Sequence, residues 1–330
     1  MGKSGRKDSR DTRREDTDVS LREGLMAAVY ADRCLVWSEG AEYVCSLRGR
    51  LKLQGTPVVG DRVRFHPHTD GSGAVAELMA RRTVLKRGTS ERKRSARGTP
   101  PQVLAANVEQ MVVVAAMAQP PFRQGLVDRF LVAARQAGLD ALLCLNKVDL
   151  DPEAQWKSVA EDYRTLGYPV LATSMQLEMG FEALRQALRG RISVLVGHSG
   201  VGKTSLLNAV EGTTMNVGAV DERLDRGRHT TTTARLLPLA DGGFVIDSPG
   251  IREFGLHGLA PGDLAALYPD FQHLESPCGF RDCLHRTEPG CAVRTAAEQG
   301  KLLARRYEGY LKLLEETQAE QAGLHPGERA

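Results

Sequence analysis

The sequence predicts a multi-domain α/β protein in three folded parts: a small β-barrel of the OB type, a parallel sheet with helices on both faces, and a mainly helical C-terminal domain. Three observations carry this. Residues 24–85 are short apolar runs broken by turn residues. From about 103 to 255, apolar runs alternate with amphipathic stretches. Near the C-terminus, Cys278, Cys283, His285 and Cys291 crowd into a single short stretch.

The first element, residues 1–20, is almost wholly polar, with six basic and five acidic residues and no periodicity. A solvated, disordered tail is expected. Residues 21–85 form the barrel. The runs LMAAVYA, CLVWS, YVCSLRGRLK and DRVRFHP are separated by Ser38-Glu39-Gly40, Val59-Gly60-Asp61 and Asp70-Gly71-Ser72-Gly73. About five short strands in so few residues suit an OB-type barrel. Cys34, Cys45 and Cys144 lie in apolar runs and are expected to be buried thiols.

Residues 86–102 are assigned as a basic linker. The stretch 81–97 around it carries eight basic residues and one acidic. Two readings stand: a solvated connection, or an electrostatic footprint for a polyanion beside the barrel. Residues 103–257 form the parallel-sheet domain. QMVVVAAMA, DALLCLNK, YPVLATS, RISVLVG and GGFVI are its strands, and residues 124–138, 153–166, FEALRQALRG and KTSLLNAV its helices. Strands that are apolar without alternation belong to a sheet covered on both faces. Residues 258–330 are the C-terminal domain, with helical composition across 294–320. Leu302, Leu303, Tyr307, Tyr310, Leu311 and Leu314 recur at helical steps and define its docking face.

Composition narrows the function. The net charge of +3 names no partner by itself. No apolar run reaches the ~18–20 residues of a membrane span, and the N-terminus lacks a signal-peptide core. Arg6 occupies the position where N-myristoylation wants Ser or Thr. A cytoplasmic protein is expected, and a reducing compartment makes the clustered Cys/His set metal ligands rather than disulfides.

The strongest chemical signal is Gly197-His198-Ser199-Gly200-Val201-Gly202-Lys203-Thr204, followed by Ser205. It matches the phosphate-binding loop G-x-x-x-x-G-K-[ST] and lies between an expected strand and helix. Its backbone N–H groups and the helix N-terminus attract phosphate, Lys203 reaches the β- and γ-phosphates, and the Thr204 hydroxyl is a Mg²⁺ ligand. Asn146-Lys147-Val148-Asp149 ends another strand. A fixed carboxylate at Asp149 accepts from guanine N1–H and the 2-amino group, which adenine cannot offer. Asn146 would touch the base and tie neighbouring loops, the Lys147 stem would cover the base, and Ser174 in Ala172-Thr173-Ser174 would contact the guanine carbonyl through its backbone. Asp247-Ser248-Pro249-Gly250 follows a third strand: Asp247 suits an outer-sphere Mg²⁺ contact, and the Gly250 N–H can sense a γ-phosphate. In Gly227-Arg228-His229-Thr230-Thr231-Thr232, a threonine can complete the Mg²⁺ shell, Thr231 being taken; the alternative is an exposed β-edge.

The order is unusual. In a Ras-like GTPase the phosphate loop comes first and the base motif late. Here Asn146–Asp149 precedes Gly197–Thr204, which precedes Asp247–Gly250. This is the order of a circularly permuted GTPase domain. Together with the barrel, the basic linker, Gln102–Val108, GRHTTT and the Cys/His cluster, it makes the chain resemble the RsgA (YjeQ) family of ribosome-assembly GTPases over roughly residues 24–315. Thr204 and Asp247-Ser248-Pro249-Gly250 stand where the family more often has Ser and D-T-P-G. The resemblance implies an OB-fold, a permuted GTPase domain and a zinc-binding domain. It also implies hydrolysis of GTP to GDP stimulated by the small ribosomal subunit during late maturation of that subunit.

The spacing C-x₄-C-x-H-x₅-C over Cys278, Cys283, His285 and Cys291 matches the family's zinc motif. Three thiolates and an imidazole make a closed structural site for one Zn²⁺ per chain. Mg²⁺ accompanies GTP. The partners expected are the small subunit with its rRNA and GTP or GDP, no membrane, on a monomer. Where Ras-like enzymes place a water-orienting glutamine, this chain has Ile251. His229 is the internal candidate for that catalytic role, with Arg228 offsetting charge; the alternatives are an rRNA contact or a cap on the segment. A P-loop ATPase or small-molecule kinase conflicts with Asn146–Asp149. A nucleic-acid-binding module with a vestigial site conflicts with intact Lys203, Thr204 and Asp247.

Overall fold

A computed structural model describes residues 21–47, 55–87, 102–211, 234–247, 256, 258–274 and 276–322. The expected tail at 1–20, most of the basic linker, and the segments holding Arg228, His229, Thr230–Thr232, Gly250 and Ile251 lie outside the described residues.

Strands β1 (Arg22–Val29), β2 (Arg33–Ser38), β3 (Ala41–Leu47), β4 (Arg62–Pro67) and β5 (Ser72–Leu78) form the N-terminal unit. They run in the order β1-β2-β3-β5-β4, and β4 returns to pair with β1, closing a five-stranded barrel. β3 and β5 are parallel; the other pairs are antiparallel. The period of two is plain in β4, where Val63, Phe65 and Pro67 point in while Arg64 and His66 face out. Met26, Cys34, Val36, Cys45, Val63, Phe65 and Val75 fill the interior. Gly24 is required there, because a Cβ would sit 2.5 Å from Val36 Cγ1. Cys34 and Cys45 face each other across β2 and β3 as free buried thiols, and burial pushes both up to about 12.

β6 (Val84–Arg87) pairs with β7 (Gln102–Ala106) as a separate two-stranded ribbon around the undescribed part of the linker. Asn107, buried and at φ +56°, follows β7. Its amide donates to the Gly60 carbonyl at 2.9 Å, and its oxygen accepts from Arg82 N–H at 2.9 Å. One side chain thus ties the barrel to the domain behind it.

That domain contains β8 (Gln110–Ala116), α1 (Gln124–Gln136), β9 (Asp140–Asn146), α2 (Trp156–Thr165), β10 (Val170–Thr173), α3 (Phe181–Leu188), β11 (Ile192–Val196), α4 (Lys203–Glu211), β12 (Arg235–Pro238) and β13 (Phe244–Asp247). The order is β10-β9-β8-β11-β13-β12, parallel except at β12. β8 and β11 are buried along their whole length, as continuous apolar strands must be. Alternate residues serve opposite cores: Met111, Val113 and Ala115 pack on the α1 side, Val112, Val114 and Ala116 on the side of α3 and α4. α2 begins at Trp156 rather than near 153, because the Asp151 carboxylate takes the Trp156 N–H at 2.7 Å and Ala154 holds φ +52°. β12 has no counterpart in the sequence reading. It turns back along β13 and meets β1 at Ala28↔Arg235, joining barrel and parallel sheet.

The C-terminal segment has two short 3₁₀ turns, then α5 (Pro269–Gln272), α6 (Ala292–Glu298) and α7 (Ala304–Ala322). The helical stretch expected over 294–320 is broken at Gly300, φ +72°. Gly300 N–H bonds the Ala297 carbonyl and Lys301 N–H that of Ala296, closing α6 with a Schellman cap. α7 therefore starts a new phase. Tyr310, Leu313 and Leu314 are buried on it, whereas Leu303, just before its first turn, is exposed. Among the described residues no helix is long and apolar enough to cross a membrane.

Candidate nucleotide site and metal centre

The carboxyl edge of the parallel sheet brings the separated motifs together. β11 runs into the loop Gly197–Gly202, and Leu206 N–H on the Gly202 carbonyl opens α4. Gly197, Gly200 and Gly202 hold φ +146°, +82° and +97°. A Cβ on Gly197 would lie 2.2 Å from the Val114 carbonyl, and one on Gly202 would lie 2.4 Å from Asn146 Nδ2. Glycine is thus forced at both positions by close approach as well as by φ. Lys203 Nζ donates to the carbonyls of Gly197 at 2.8 Å and His198 at 2.9 Å, which sets its ammonium on the loop. Thr204 and Ser205 are exposed on the first turn of α4, while Ser199 and His198 are exposed on the loop itself. Such a loop before a helix N-terminus suits a polyphosphate.

Asn146, at the end of β9, is the hinge of the arrangement. It is buried; its Nδ2 donates to the Val201 carbonyl at 2.8 Å and its Oδ1 accepts from Thr173 Oγ1 at 2.9 Å. One amide therefore joins the loop after β11 to the end of β10. Lys147 sits at φ +58° and its Nζ donates to the carbonyls of Gly200, at 2.8 Å, and Gln119. Val148 turns into the core, so its side chain is structural. Asp149 Oδ1 accepts from the Ser174 hydroxyl at 2.5 Å, and that hydroxyl accepts the Leu177 N–H at 3.1 Å. The carboxylate is oriented by a buried partner, the condition for reading a donor pair on a base. Asp247 ends β13, the strand beside β11.

Two contributors carry no sequence signal. Gln119 acts through its backbone carbonyl, which any residue supplies. Thr173 acts through a hydroxyl one residue before the Ser174 that the motif singles out. Gly250, Thr231 and His229 lie outside the described residues, so their place in the site is not part of this geometry.

In the C-terminal segment, the ligand atoms of Cys278, Cys283, His285 and Cys291 lie within 4.8 Å of one another. His285 Nδ1 is 3.4 Å from Cys278 Sγ and 3.5 Å from Cys291 Sγ. Metal–sulfur and metal–nitrogen bonds of ~2.3 and ~2.0 Å at a tetrahedral angle give a ligand edge of about 3.5 Å, so the donors fit an ion of zinc's size. Burial lowers the His285 pKa and pushes Cys283 up to about 12. Thiolates packed this closely repel one another, so a bound cation is what would hold the three cysteines deprotonated. Glu288 shapes the ligand loop. Its carboxylate accepts the N–H groups of Leu284, Arg286 and Thr287 at 2.8–3.0 Å, and its pKa falls to about 2 through such backbone bonds. The hydroxyls of Tyr307 and Tyr310 donate to the His285 and Leu284 carbonyls at 2.6 and 2.9 Å, fastening the loop to α7. His273 is exposed and outside the cluster.

Comparison with known proteins agrees with this geometry. A family model described as RsgA GTPase matches residues 78–257, and one described as RsgA N-terminal domain matches residues 23–75. A protein of Moorella thermoacetica named small ribosomal subunit biogenesis GTPase RsgA is 40% identical over 296 residues, covering 89% of this chain and 97% of its own. A like-named protein of Thermotoga petrophila is 38% identical over 302 residues, covering 89% and 96%. Among solved structures, YjeQ from Thermotoga maritima aligns with a TM-score of 0.73 at 34% identity, covering 90% of this chain and 99% of that one. YloQ, described as a circularly permuted GTPase, aligns at 0.72 with 29% identity, covering 93% and 98%.

Proposed function

Because the chain belongs to the RsgA GTPase family and is a GTP-hydrolysing enzyme of ribosome biogenesis, we propose that it binds the small ribosomal subunit, assists its late maturation, and is stimulated by that subunit to hydrolyse GTP. The observation that supports this best is the bond set of Asn146. It locks the guanine-type motif to the phosphate loop although the two come from permuted positions.

In this reading Asp149, held by Ser174, accepts from guanine N1–H and the 2-amino group, and the Lys147 stem covers the base. Backbone N–H groups of Gly197–Thr204 and the Lys203 ammonium take the phosphates, leaving the loop carbonyls that Lys203 now occupies. Bound Mg²⁺ neutralises phosphate charge; Thr204 and Thr231 would hold it, with Asp247 in its outer shell. His229 orients the attacking water, since Ile251 has no polar atom to do so, and Gly250 N–H reads the γ-phosphate. The metal of the C-terminal segment is one structural Zn²⁺ on Cys278, Cys283, His285 and Cys291. The barrel and the 81–97 segment meet rRNA phosphates, and the protein acts as a monomer in the cytoplasm.

GTP turnover by the full chain with and without purified small subunits tests the reading, with ATP as competitor. Guanine-selective turnover that rises with small subunits and not with large ones is expected. Equal affinity for ATP and GTP, or turnover indifferent to the subunit, would overturn it.

A further inference from the structure

A charged cluster at the seam between the C-terminal segment and the parallel-sheet domain has no part in the site above. Arg306 on α7 is wholly buried. Its Nη1 donates to Asp128 Oδ1 on α1 at 2.9 Å, and its Nε to both oxygens of Asp270 on α5 at 2.9 and 3.0 Å. The guanidinium lies 4.6 Å from the ring centre of Tyr268. Asp128, also wholly buried, accepts from the Tyr163 hydroxyl on α2 at 3.0 Å. One cation thereby gathers four helices.

Packing alone does not call for this. Desolvating such ions offsets most of their attraction, and apolar side chains of similar volume would hold the helices together as well. Asp128 Oδ2 and the Tyr268 hydroxyl have no hydrogen-bond partner among the described residues, which raises the cost further. What the ions add is a fixed relative position of α1 and α7, because a planar guanidinium bonded on two edges tolerates little displacement.

Both helices lead to a site. Pro120 and Arg123, just before α1, and Leu126 in its first turn line one cleft with Gly197, His198 and Val201 of the phosphate loop. Lys147 bridges Gln119 and Gly200 across the same junction. On α7, Tyr307, the neighbour of Arg306, holds the His285 carbonyl, and Tyr310 holds that of Leu284. The path from metal loop to phosphate loop is therefore α7, Arg306, Asp128 and α1, by hydrogen bonds as far as α1 and by the shared cleft from α1 to the loop.

We propose that Arg306 and Asp128 are positioning residues that couple the metal-bearing C-terminal segment to the nucleotide site by setting α1 against the phosphate loop. This rests on the reading of Gly197–Thr204 as a nucleotide site. Coupling of this kind is reciprocal: what the seam does to nucleotide affinity, nucleotide does to the seam.

The test uses the full, metal-loaded chain. GDP affinity is measured by calorimetry for wild type, Arg306→Lys and Asp128→Asn, with metal content and Tm recorded for each. Lysine keeps the charge but cannot bond both carboxylates with the same geometry. The expected result is a GDP Kd raised about five- to tenfold in both variants at unchanged metal content. In wild type, saturating GDP slows amide exchange across residues 304–310, and in Asp128→Asn it does not. Variants that lose Tm but bind GDP like wild type would show a merely structural seam and overturn the proposal. Should either variant fail to fold, wild-type exchange decides: no GDP effect on 304–310 overturns it. Failure of wild type to bind GDP at all would instead sink the nucleotide-site reading.

Discussion

Replacing Ser174 by alanine isolates one bond in the proposed base site. The Ser174 side chain is wholly buried, donates to Asp149 at 2.5 Å and accepts the Leu177 N–H at 3.1 Å. The backbone pair between Ser174 and Met179 does not depend on it. A hydrogen bond to an ionised acceptor contributes ~1.5–3 kcal/mol when its donor is deleted. Asp149 is half-buried, so water recovers part of that in the free protein, and the lower end applies. At ~1.4 kcal/mol per factor of ten, ~1.5–2 kcal/mol raises the GDP Kd about ten- to thirtyfold. The loss should fall on base recognition. Displacement of a fluorescent guanine nucleotide by GDP, IDP and ADP measures it, with Tm as a check on folding. IDP lacks the 2-amino group, so its disadvantage against GDP should shrink in the variant as the carboxylate loosens. GDP affinity within twofold of wild type, with the three competitors ranked as before, would refute the reasoning.

Gly202→Ala is expected to cost more, because its Cβ would displace the Asn146 amide and the backbone at φ +97° resists a side chain at ~1–3 kcal/mol. Guanine binding by calorimetry should drop at least a hundredfold while circular dichroism stays native. Cys283→Ser should lower zinc content, read by elemental analysis, and speed amide exchange in residues 278–291; native protein without zinc would defeat the assignment. Neutralising Arg92, Lys93 and Arg94 together should weaken small-subunit binding and flatten its salt dependence in sedimentation assays. His229→Ala should slow subunit-stimulated turnover more than it weakens GTP binding, and full kcat in that variant would place water orientation elsewhere.

The parallel sheet was legible because strands buried on both faces are apolar without a break, as in β8 and β11. The base and phosphate motifs were legible because each is contiguous and follows directly on a strand, β9 or β11. What escaped depends on partners distant in the chain. β12 is four residues long with a single buried leucine, and what makes it a strand is β13 on one side and β1 of the barrel on the other. Arg306 reads as a surface charge by hydropathy; its burial depends on Asp128, 178 positions earlier. The break between α6 and α7 did leave a signal, a glycine after the last helical residue, which the helix-rich composition around it masked. Leu303 was misplaced for the same reason, since one continuous helix would have set its phase.

The permuted order has a mechanical consequence. The site needs the ends of β9, β10, β11 and β13 on one edge, and the sheet supplies that edge whatever the order of the chain. In the usual order the base motif comes late. Here β13, the strand of Asp247, is the last of the sheet, and nine residues after Asp247 the chain reaches Leu256, buried in the core that also holds α1 and α7. The neighbour of β13, β12, is joined to β1. The barrel therefore attaches next to the strand of Asp247, whereas the base loops after β9 and β10 lie at the far side of the sheet; the C-terminal segment follows β13 in the chain but is pinned to α1 by Arg306 and Asp128. A partner that grips the barrel would act first on the γ-phosphate end of the site, whereas one that grips the C-terminal segment would also reach nucleotide affinity through the seam of α7 and α1. Stimulation by the small subunit that enters through the barrel should accordingly appear in kcat for GTP with GDP affinity little changed. A subunit effect carried wholly by nucleotide affinity would mean that the force enters through the C-terminal segment and the seam of α7 and α1 instead.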